Sequence, residues 1–400
     1  MNPERTLQRH GVASIRGFSL VELLVSVAIG LVLTLILTTL IARQEGSRRT
    51  LTSGSDMTTN SAYLSYILDR ELRSAGSGFI DHWGAGTPMD PLHAIVGCPL
   101  TAARSGAQIL PRAAAFPAPF AALPLAPILA PVLIHAGAGA GGSDVLAVAA
   151  GASGLSESML TLLPGSAAAD QVRLNSTMGL RGGDLMLLAE VDLPAGVNRC
   201  MLQQVAAGFV GGTSQQVNFG GQYASNNVGS LALVTFGTTG VSTSVAAAIG
   251  NTTGNTPRFQ FFGLGTNNTL FSYDLLNLNG LDAPQPIAEG VAELRALYGI
   301  ANPAGVFTGW VAPTGAFGVA TLTNGTPASQ AALRSIVAVR IGLVMRSDLV
   351  ERDAVNKNQL NLFASLSPGN FTYTYNVPAG QERQRFRAIE FTVPLRNMLF

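Results

Sequence analysis

The sequence predicts a protein of the mixed α+β class, in which one long N-terminal helix precedes a large head rich in β-strands. An apolar run from Phe18 to Ile41 holds about 24 residues and would rise about 36 Å as a helix. Charged residues make up only 12% of the 400-residue chain, whereas glycine and proline number 45 and 21. This composition favours short strands joined by turns over extensive helical surface.

The apolar run has the length of a membrane-spanning helix, because it exceeds the roughly 30 Å thickness of the hydrocarbon core of a bilayer. A conventional secretory signal has a shorter apolar stretch that precedes its cleavage site. Arginines flank both ends of the run, so the charge distribution leaves the orientation open. They are Arg5, Arg9 and Arg16 on one side and Arg43, Arg48 and Arg49 on the other.

Beyond Ile41 we expect the helix to continue with a different character. Residues 43–56 are polar and include two glycines, so this stretch is predicted to be weakly helical at best. Apolar residues then return at helical spacing and form one stripe, composed of Leu64, Leu68, Leu72 and Ala75. Gly76 and Gly78 follow and predict the end of the helix.

We therefore place the continuation of the helix at 42–78 and the head at 79–400. Residues 99–142 of the head are rich in alanine and proline, at a density that prevents a helix and excludes a central strand. They are also too apolar for an ordinary linker. We expect an extended, polyproline-like chain lying over the head or a partner-binding insertion, and the composition leaves a poorly ordered insertion open as well.

From residue 143 onward the patterns predict strands. Short apolar runs bounded by turn residues lie at 144–148, 184–188 and 201–205. Residues 211–256 are rich in Gly, Ser, Thr and Asn and predict long loops. Phe259–Phe262 and Leu270–Tyr273 predict the two arms of a hairpin.

The C-terminal part predicts two further strands, at Ile336–Met345 and Arg385–Leu395. In Ile287–Tyr298 the apolar residues recur at three-residue steps. Helix and strand therefore remain alternatives for this segment.

The N-terminal residues resemble the class III signal of type IV prepilins, which ends in Gly and is followed by Phe-Thr/Ser-Leu-x-Glu. The chain reads Arg16-Gly17-Phe18-Ser19-Leu20-Val21-Glu22 before the unbroken apolar run. The resemblance implies cleavage after Gly17 by the prepilin peptidase and N-methylation of Phe18. It also implies a cytoplasmic leader at 1–17 and a transmembrane, filament-core helix at 18–41.

The C-terminal third resembles the minor pilin PilW family, in the segments Gly290–Gly299, Ile336–Ser347 and Arg383–Asn397. The resemblance implies a pilin-like protein held in the inner membrane, with a periplasmic head that later joins the pilus at the cell surface. The implied partners are other minor pilins in a tip priming complex, the major pilin and a large tip adhesin. Roles in pilus assembly, adhesion and twitching motility would follow.

Glu22 is the candidate assembly residue. A charge at the bilayer centre costs about 2.5–3.5 kcal/mol, and less near an interface. One interpretation is a carboxylate that snorkels to the cytoplasmic interface. The resemblance implies another, in which cleavage creates an amine on Phe18 and Glu22 of a neighbouring subunit pairs with it, since either charge alone in a low dielectric is costly.

Cys98 and Cys200 are the only cysteines of the chain. The periplasm implied by the resemblance is oxidising and favours a disulfide. Such a bridge would close a loop of about 100 residues and stabilise the fold by up to ~4.7 kcal/mol. Nothing in the sequence determines the geometry of the two residues, so two separate thiols remain the alternative.

The sequence offers no motif for catalysis, a cofactor, a metal or nucleic-acid binding, and we expect none of these functions. The four histidines (His10, His82, His93 and His135) lack metal-ligand spacing. Asp81 and Asp90 lie near histidines, but a nucleophile motif for a catalytic triad is missing. The formal net charge is +1, without a basic stripe.

Two other functions compete with that of a minor pilin. A J-like pseudopilin of type II secretion shares the signal and the priming role, but such proteins are usually much shorter than this chain. A membrane-tethered periplasmic enzyme or binding protein would need an active-site constellation in the head. The sequence contains no such constellation.

Overall fold

The computed structural model describes residues 17, 19–80, 95–152, 159–191, 198–237, 243–351, 353–355, 358–366 and 371–398. The α-helices are α1 (Leu20–Arg73), α2 (Val319–Leu322) and α3 (Pro327–Ser335). The strands, in chain order, are β1 (Leu100–Arg104), β2 (Ala107–Leu110), β3 (Val132–His135), β4 (Val145–Ala150), β5 (Leu160–Thr161), β6 (Gln171–Arg173), β7 (Asp184–Val191), β8 (Arg199–Gln204), β9 (Gln216–Asn218), β10 (Asn227–Val228), β11 (Leu231–Ala232), β12 (Thr243–Asn251), β13 (Arg258–Leu264), β14 (Leu270–Asp274), β15 (Gln285–Ala288), β16 (Val291–Ala301), β17 (Phe307–Val311), β18 (Ile336–Val350), β19 (Gln359–Leu362), β20 (Tyr373–Asn376) and β21 (Gln384–Pro394). An apolar N-terminal helix followed by a β-rich region is the α+β architecture that the sequence predicts.

Helix α1 includes residues 43–56, so the prediction of a weakly helical stretch is wrong. Once a helix exists, each further residue adds a hydrogen bond, and a glycine costs only about 1 kcal/mol relative to alanine. Strongly helical segments flank the stretch on both sides. Ser53 and Met57 are also buried, so tertiary contacts support its end.

The chain divides into two compact units within α1, residues 1–52 and 53–400. In the second unit the predicted apolar stripe of α1 belongs to the core, and all of its members are fully buried (Leu64, Leu68, Leu72 and Ala75). The helix ends at Arg73. Gly76 follows with φ 84°, the left-handed conformation that commonly ends helices.

Three larger sheets form the β-rich part of the second unit. The six-stranded sheet has the order β2-β1-β8-β7-β12-β5, the five-stranded sheet β15-β14-β13-β4-β3 and the four-stranded sheet β17-β16-β18-β21. Neighbouring strands within them are antiparallel, except that β1 and β8 are parallel. Strand pairs β6–β9, β10–β11 and β19–β20 form three small sheets.

Two hydrophobic cores lie on opposite faces of the six-stranded sheet. The first joins the stripe of α1 to all three larger sheets, and the second lies on the other face of the six-stranded sheet. Strand β7 contributes Leu185, Leu187 and Ala189 to the first core, and Met186 and Leu188 to the second. Successive side chains of a strand point to opposite faces, which explains why β7 is apolar without alternation.

Most predicted strands of the C-terminal half are present. β13 and β14 pair as the predicted hairpin, and β18 and β21 match the two predicted terminal strands. The ambiguous segment at 287–298 contributes to β16, which pairs with β17 and β18. Pairing on both sides favours the extended form of a segment whose periodicity is compatible with helix.

The prediction of loops throughout 211–256 is wrong for β12. This strand pairs with β7 and β5, and its Ala246, Ala247 and Ala248 are buried. Alanine has a weak intrinsic preference for strands, but burial on both faces of a sheet overrides that preference.

The segment 99–142 is a packed part of the head, so a poorly ordered insertion is the wrong alternative. Its Phe116, Phe120, Leu123 and Leu129 are buried in the first core. The prediction that this segment excludes a central strand is wrong for β1, whose five residues contain no proline and which lies between β2 and β8. Strand β3, which follows the prolines, lies at the edge of the five-stranded sheet.

Candidate functional site

Helix α1 begins at a hydroxyl cap. The Oγ of Ser19 accepts a hydrogen bond from the Val21 N–H at 3.3 Å, and the Ser19 carbonyl accepts from the Glu22 N–H at 3.0 Å. Ser19 therefore satisfies donors that a helix start leaves unpaired. Glu22 lies in the first turn, where the helix dipole favours a negative charge.

Of the two residues that flank the predicted cleavage site, the structure describes Gly17 but not Phe18. Gly17 is exposed, and a Cβ atom at this position would meet no atom within 4 Å. Packing among the described residues therefore does not require glycine at this position. Phe18, the predicted methylation site, lies outside the described residues.

The first half of α1 leaves its apolar side chains uncovered. The exposed fraction of its large apolar side chains runs from 48% at Ile36 to 76% at Leu20. Leu20–Ala42 is long and apolar enough to cross a membrane, by length and composition. Among the described residues no cation lies within ion-pair distance of Glu22. This segment combines a wide apolar surface with one carboxylate, and both call for an environment outside the chain.

Contacts within the second unit hold the end of α1 against the head. The buried carboxylate of Glu71 accepts hydrogen bonds from Arg258 Nη1 of β13 at 2.9 Å and from Arg70 Nη2 at 2.6 Å. The side-chain amide of Asn397 donates to the carbonyl oxygens of Ser74 and Ala75, at 3.3 and 3.0 Å. Sequence analysis missed these contacts, because no local pattern links residues that are separated by 187 and 323 positions.

The two cysteines come together in the structure. Cys98 and Cys200 form a disulfide with their Cα atoms 5.7 Å apart, and both residues are fully buried. Cys200 also lies opposite Leu100 in the parallel pair of β8 and β1. The covalent link and the strand pairing therefore join the same two segments.

A buried polar cluster connects the segment before β4 with β16 and β20. Arg295 Nη1 contacts the Asp144 carboxylate at 3.2 Å, and Arg295 Nη2 donates to the hydroxyl of Tyr373 at 2.9 Å. Ser143 Oγ donates to Glu293 at 3.0 Å. Burial raises the pKa of both Asp144 and Glu293. The two carboxylates and the guanidinium between them therefore hold the start of β4 against β16.

Of the histidines and aspartates considered for chemistry, the structure describes only His135. His10, His82, His93, Asp81 and Asp90 all lie outside the described residues. His135 is partly buried against the ring of Phe261, with 6.4 Å between the ring centres. Burial lowers the pKa of His135 to about 4. Within the described ranges, no group of three or more His, Cys, Asp or Glu side chains could hold a metal ion.

Comparison with known families finds two matches. The family model of PilW, the Type IV pilus-assembly protein W, matches residues 252–397, and the prokaryotic N-terminal methylation motif matches residues 13–38. The first match covers β13–β21, and the second covers Ser19 and Glu22. No curated protein and no solved structure matches the chain. The six-stranded sheet lies outside both matched ranges.

Proposed function

Since the chain is a prepilin-type protein of the PilW family, we propose that it is a minor pilin of the type IV pilus that acts in a tip priming complex. The observation that carries this proposal is Glu22 in the first turn of an uncovered apolar helix. The pilus relation and membrane anchoring follow from the two family matches. The tip position, the inner membrane and the individual partners belong to the proposal.

The proposed mechanism uses one apolar surface in two environments. Before assembly Leu20–Ala42 lies in the inner membrane, with the head in the periplasm. After the prepilin peptidase cuts between Gly17 and Phe18, the same surface packs against the helices of other minor pilins and the major pilin. Both environments are apolar, so the transfer costs little hydrophobic free energy.

Glu22 supplies the specificity of this transfer. Cleavage leaves a charged, N-methylated amine on Phe18 of each subunit. In the filament, Glu22 of one subunit pairs with this amine of its neighbour. The capped start of α1 holds the carboxylate one turn from that end. A subunit docked out of register would bury two unpaired charges, and this penalty selects the correct register.

Replacement of Glu22 tests the proposal. Glu22→Ala should insert into the membrane and be processed normally, because the cut precedes it, but it should be lost from the filament. Breaking a buried pair costs about 3–5 kcal/mol, a factor of hundreds or more in docking. The measurement is the amount of the chain in membranes and in sheared pili of a strain that lacks the native copy.

Asp56→Ala is the matched control, since Asp56 is an exposed carboxylate on the same helix. This variant should assemble like the wild type. Mass spectrometry of each mature chain should find a methylated N-terminus at Phe18. Wild-type incorporation of Glu22→Ala, or an intact leader in piliated cells, would contradict the proposed mechanism.

A further inference from the structure

Strand β17 is an edge of the four-stranded sheet with one free side. It pairs with β16 through Trp310, which lies opposite Gly299, and Val311, which lies opposite Tyr298. Its residues make no other backbone hydrogen bond with any part of the chain that the structure describes. The free side of a strand presents a row of N–H and C=O groups in the spacing that another strand matches.

The other edges of the three larger sheets carry protections that β17 lacks, although β17 itself has a bulge where Ile300 and Ala301 pair with Gly309 and Phe307. β2 ends against Pro111, β5 has two residues, β15 contains Pro286, β3 is buried at Val132–Ile134, and β21 carries Arg385, Arg387 and Glu390. Proline, shortness, burial and charge are the features by which proteins prevent edge-to-edge pairing. Phe307–Val311 contains no proline and no charged residue, and Phe307 and Thr308 are exposed.

Aromatic side chains fix the position of this edge. The rings of Phe307 and Trp310 meet at 5.3 Å between centroids in an edge-to-face arrangement. Both rings lie over Gly299 of β16, where a Cβ atom would come within 3.0 Å of Phe307 and 2.9 Å of Trp310. The glycine therefore lets the two rings pack onto the sheet. A strand that paired with β17 would find a rigid apolar surface beside it.

We propose that β17 accepts an extended strand from a different pilus protein, which thereby extends the four-stranded sheet by one strand. The unpaired N–H and C=O groups of β17 match the backbone of an extended partner segment. The uncharged and aromatic side chains of β17 favour apolar residues in the partner strand beside them. A second copy is the less suitable occupant, because an edge open to its own copy would join heads of this chain wherever they meet. This inference rests on the proposed function, since assembly supplies the partner strand.

Charge on the edge tests the proposal in cells that express the full chain. Thr308→Lys places a charge at the second residue of β17, and Thr308→Val keeps the position neutral and β-branched; both variants lose the hydrogen bond from the Thr308 hydroxyl to the Ile300 carbonyl. Val210→Lys is the control, since Val210 is exposed and lies outside β17. Thr308→Lys should lower the amount of the chain in sheared pili about tenfold or more at an equal membrane level, whereas the other two variants should stay within about twofold of the wild type.

A benzophenone amino acid at Phe307 provides the second measurement and does not depend on the folding of Thr308→Lys. Irradiated pili should yield a crosslink to an apolar segment of a different pilus protein, identified by mass spectrometry of the joined peptides. A crosslink to a second copy, no crosslink in pili that contain the subunit, or wild-type incorporation of Thr308→Lys would overturn the inference alone. Absence of the wild-type chain from pili would overturn the proposed function, and this inference with it.

Discussion

Asp144 is a single carboxylate that accepts hydrogen bonds from three donors. Its oxygens accept hydrogen bonds from the Gly137 N–H at 3.0 Å, the Ala296 N–H at 2.9 Å and Arg295 Nη1 at 3.2 Å. Its own N–H donates to the carbonyl of Leu294 at 2.9 Å. The residue thus joins the five-stranded sheet to the four-stranded sheet, and its side chain is only 4% exposed.

We expect Asp144→Asn to destabilise the head strongly. The amide would turn a donor toward a backbone N–H and would remove one of the two carboxylates that pair with Arg295. Breaking such a buried pair typically costs about 3–5 kcal/mol. Urea unfolding of the full chain in detergent measures this loss, and Asp348→Asn is the control because Asp348 is 70% exposed. Equal free energies of unfolding for both variants would contradict the structural role of Asp144.

His135 and the buried carboxyls give opposite dependences of stability on pH. The pKa of His135 falls to about 4 on burial, so its unfavourable protonation destabilises the fold as the pH drops from about 6.5 to about 4. Burial raises the pKa of Asp144 and Glu293. The native state therefore keeps protons that the unfolded chain has lost, and this contribution to stability decreases as the pH rises through the raised values.

The variant His135→Gln isolates the histidine contribution. The difference in free energy of unfolding between the wild type and this variant should fall by at most ~3 kcal/mol between about pH 7 and about pH 4. Urea titrations at a series of pH values measure it, because any constant cost of the glutamine cancels. A difference that stays constant over this range would mean that the pKa of His135 is not lowered.

At the scale of elements, the disulfide joins two parts of the chain that lie far apart in sequence. Cys98 and Cys200 are separated by 102 positions, and the bridge connects the segment before β1 to β8. Both residues are fully buried in the first core. The bridge therefore restricts the unfolded chain over a long loop and reinforces the one parallel strand pair of the larger sheets.

Removal of the bridge should lower the free energy of unfolding by several kcal/mol, with ~4.7 kcal/mol as the chain-entropy value for such a loop. Cys98→Ala, Cys200→Ala and the double variant should be destabilised to similar extents, because each removes the same constraint. Peptide mapping without reductant should find the two residues linked in the wild type. Free thiols at both positions would contradict the disulfide and would not affect the proposed role in assembly.

At the scale of the whole molecule, the first and second cores of the head share the six-stranded sheet. Alternate side chains of β7 enter different cores, as do Ala247 and Ala248 of β12. Loss of either core would expose one face of the shared sheet to water. The head should therefore unfold as one cooperative unit, even though the six-stranded sheet precedes the matched PilW region along the chain.

Two tryptophan reporters test this cooperativity. In Trp83→Phe the remaining tryptophan, Trp310, reports on the four-stranded sheet. Addition of Trp310→Phe and Phe219→Trp moves the reporter to the second core. In each variant, the midpoint of the fluorescence transition in urea should coincide with the midpoint of that variant's own CD transition. Separate fluorescence and CD midpoints in either variant would show that the cores unfold independently.

The sequence by itself determined the features that depend on neighbours along the chain. The apolar run of α1, its buried stripe, the glycine that ends it and the strands β13, β14, β18 and β21 follow from local composition and periodicity. The resemblance to prepilins likewise rests on consecutive residues, and the methylation motif matches there. Local patterns suffice here because each of these features arises within a few turns of chain.

Only the tertiary structure decided the features that depend on distant partners. It brought Cys98 to Cys200, Glu71 to Arg258, Asn397 to the end of α1, and Asp144 to Arg295. It also made a central strand of the alanine-rich β12 and packed the proline-rich segment 99–142 into the core. The physical reason is that burial and pairing energies come from groups outside the local stretch of chain, and these outweigh the weak local preferences of alanine, glycine and proline.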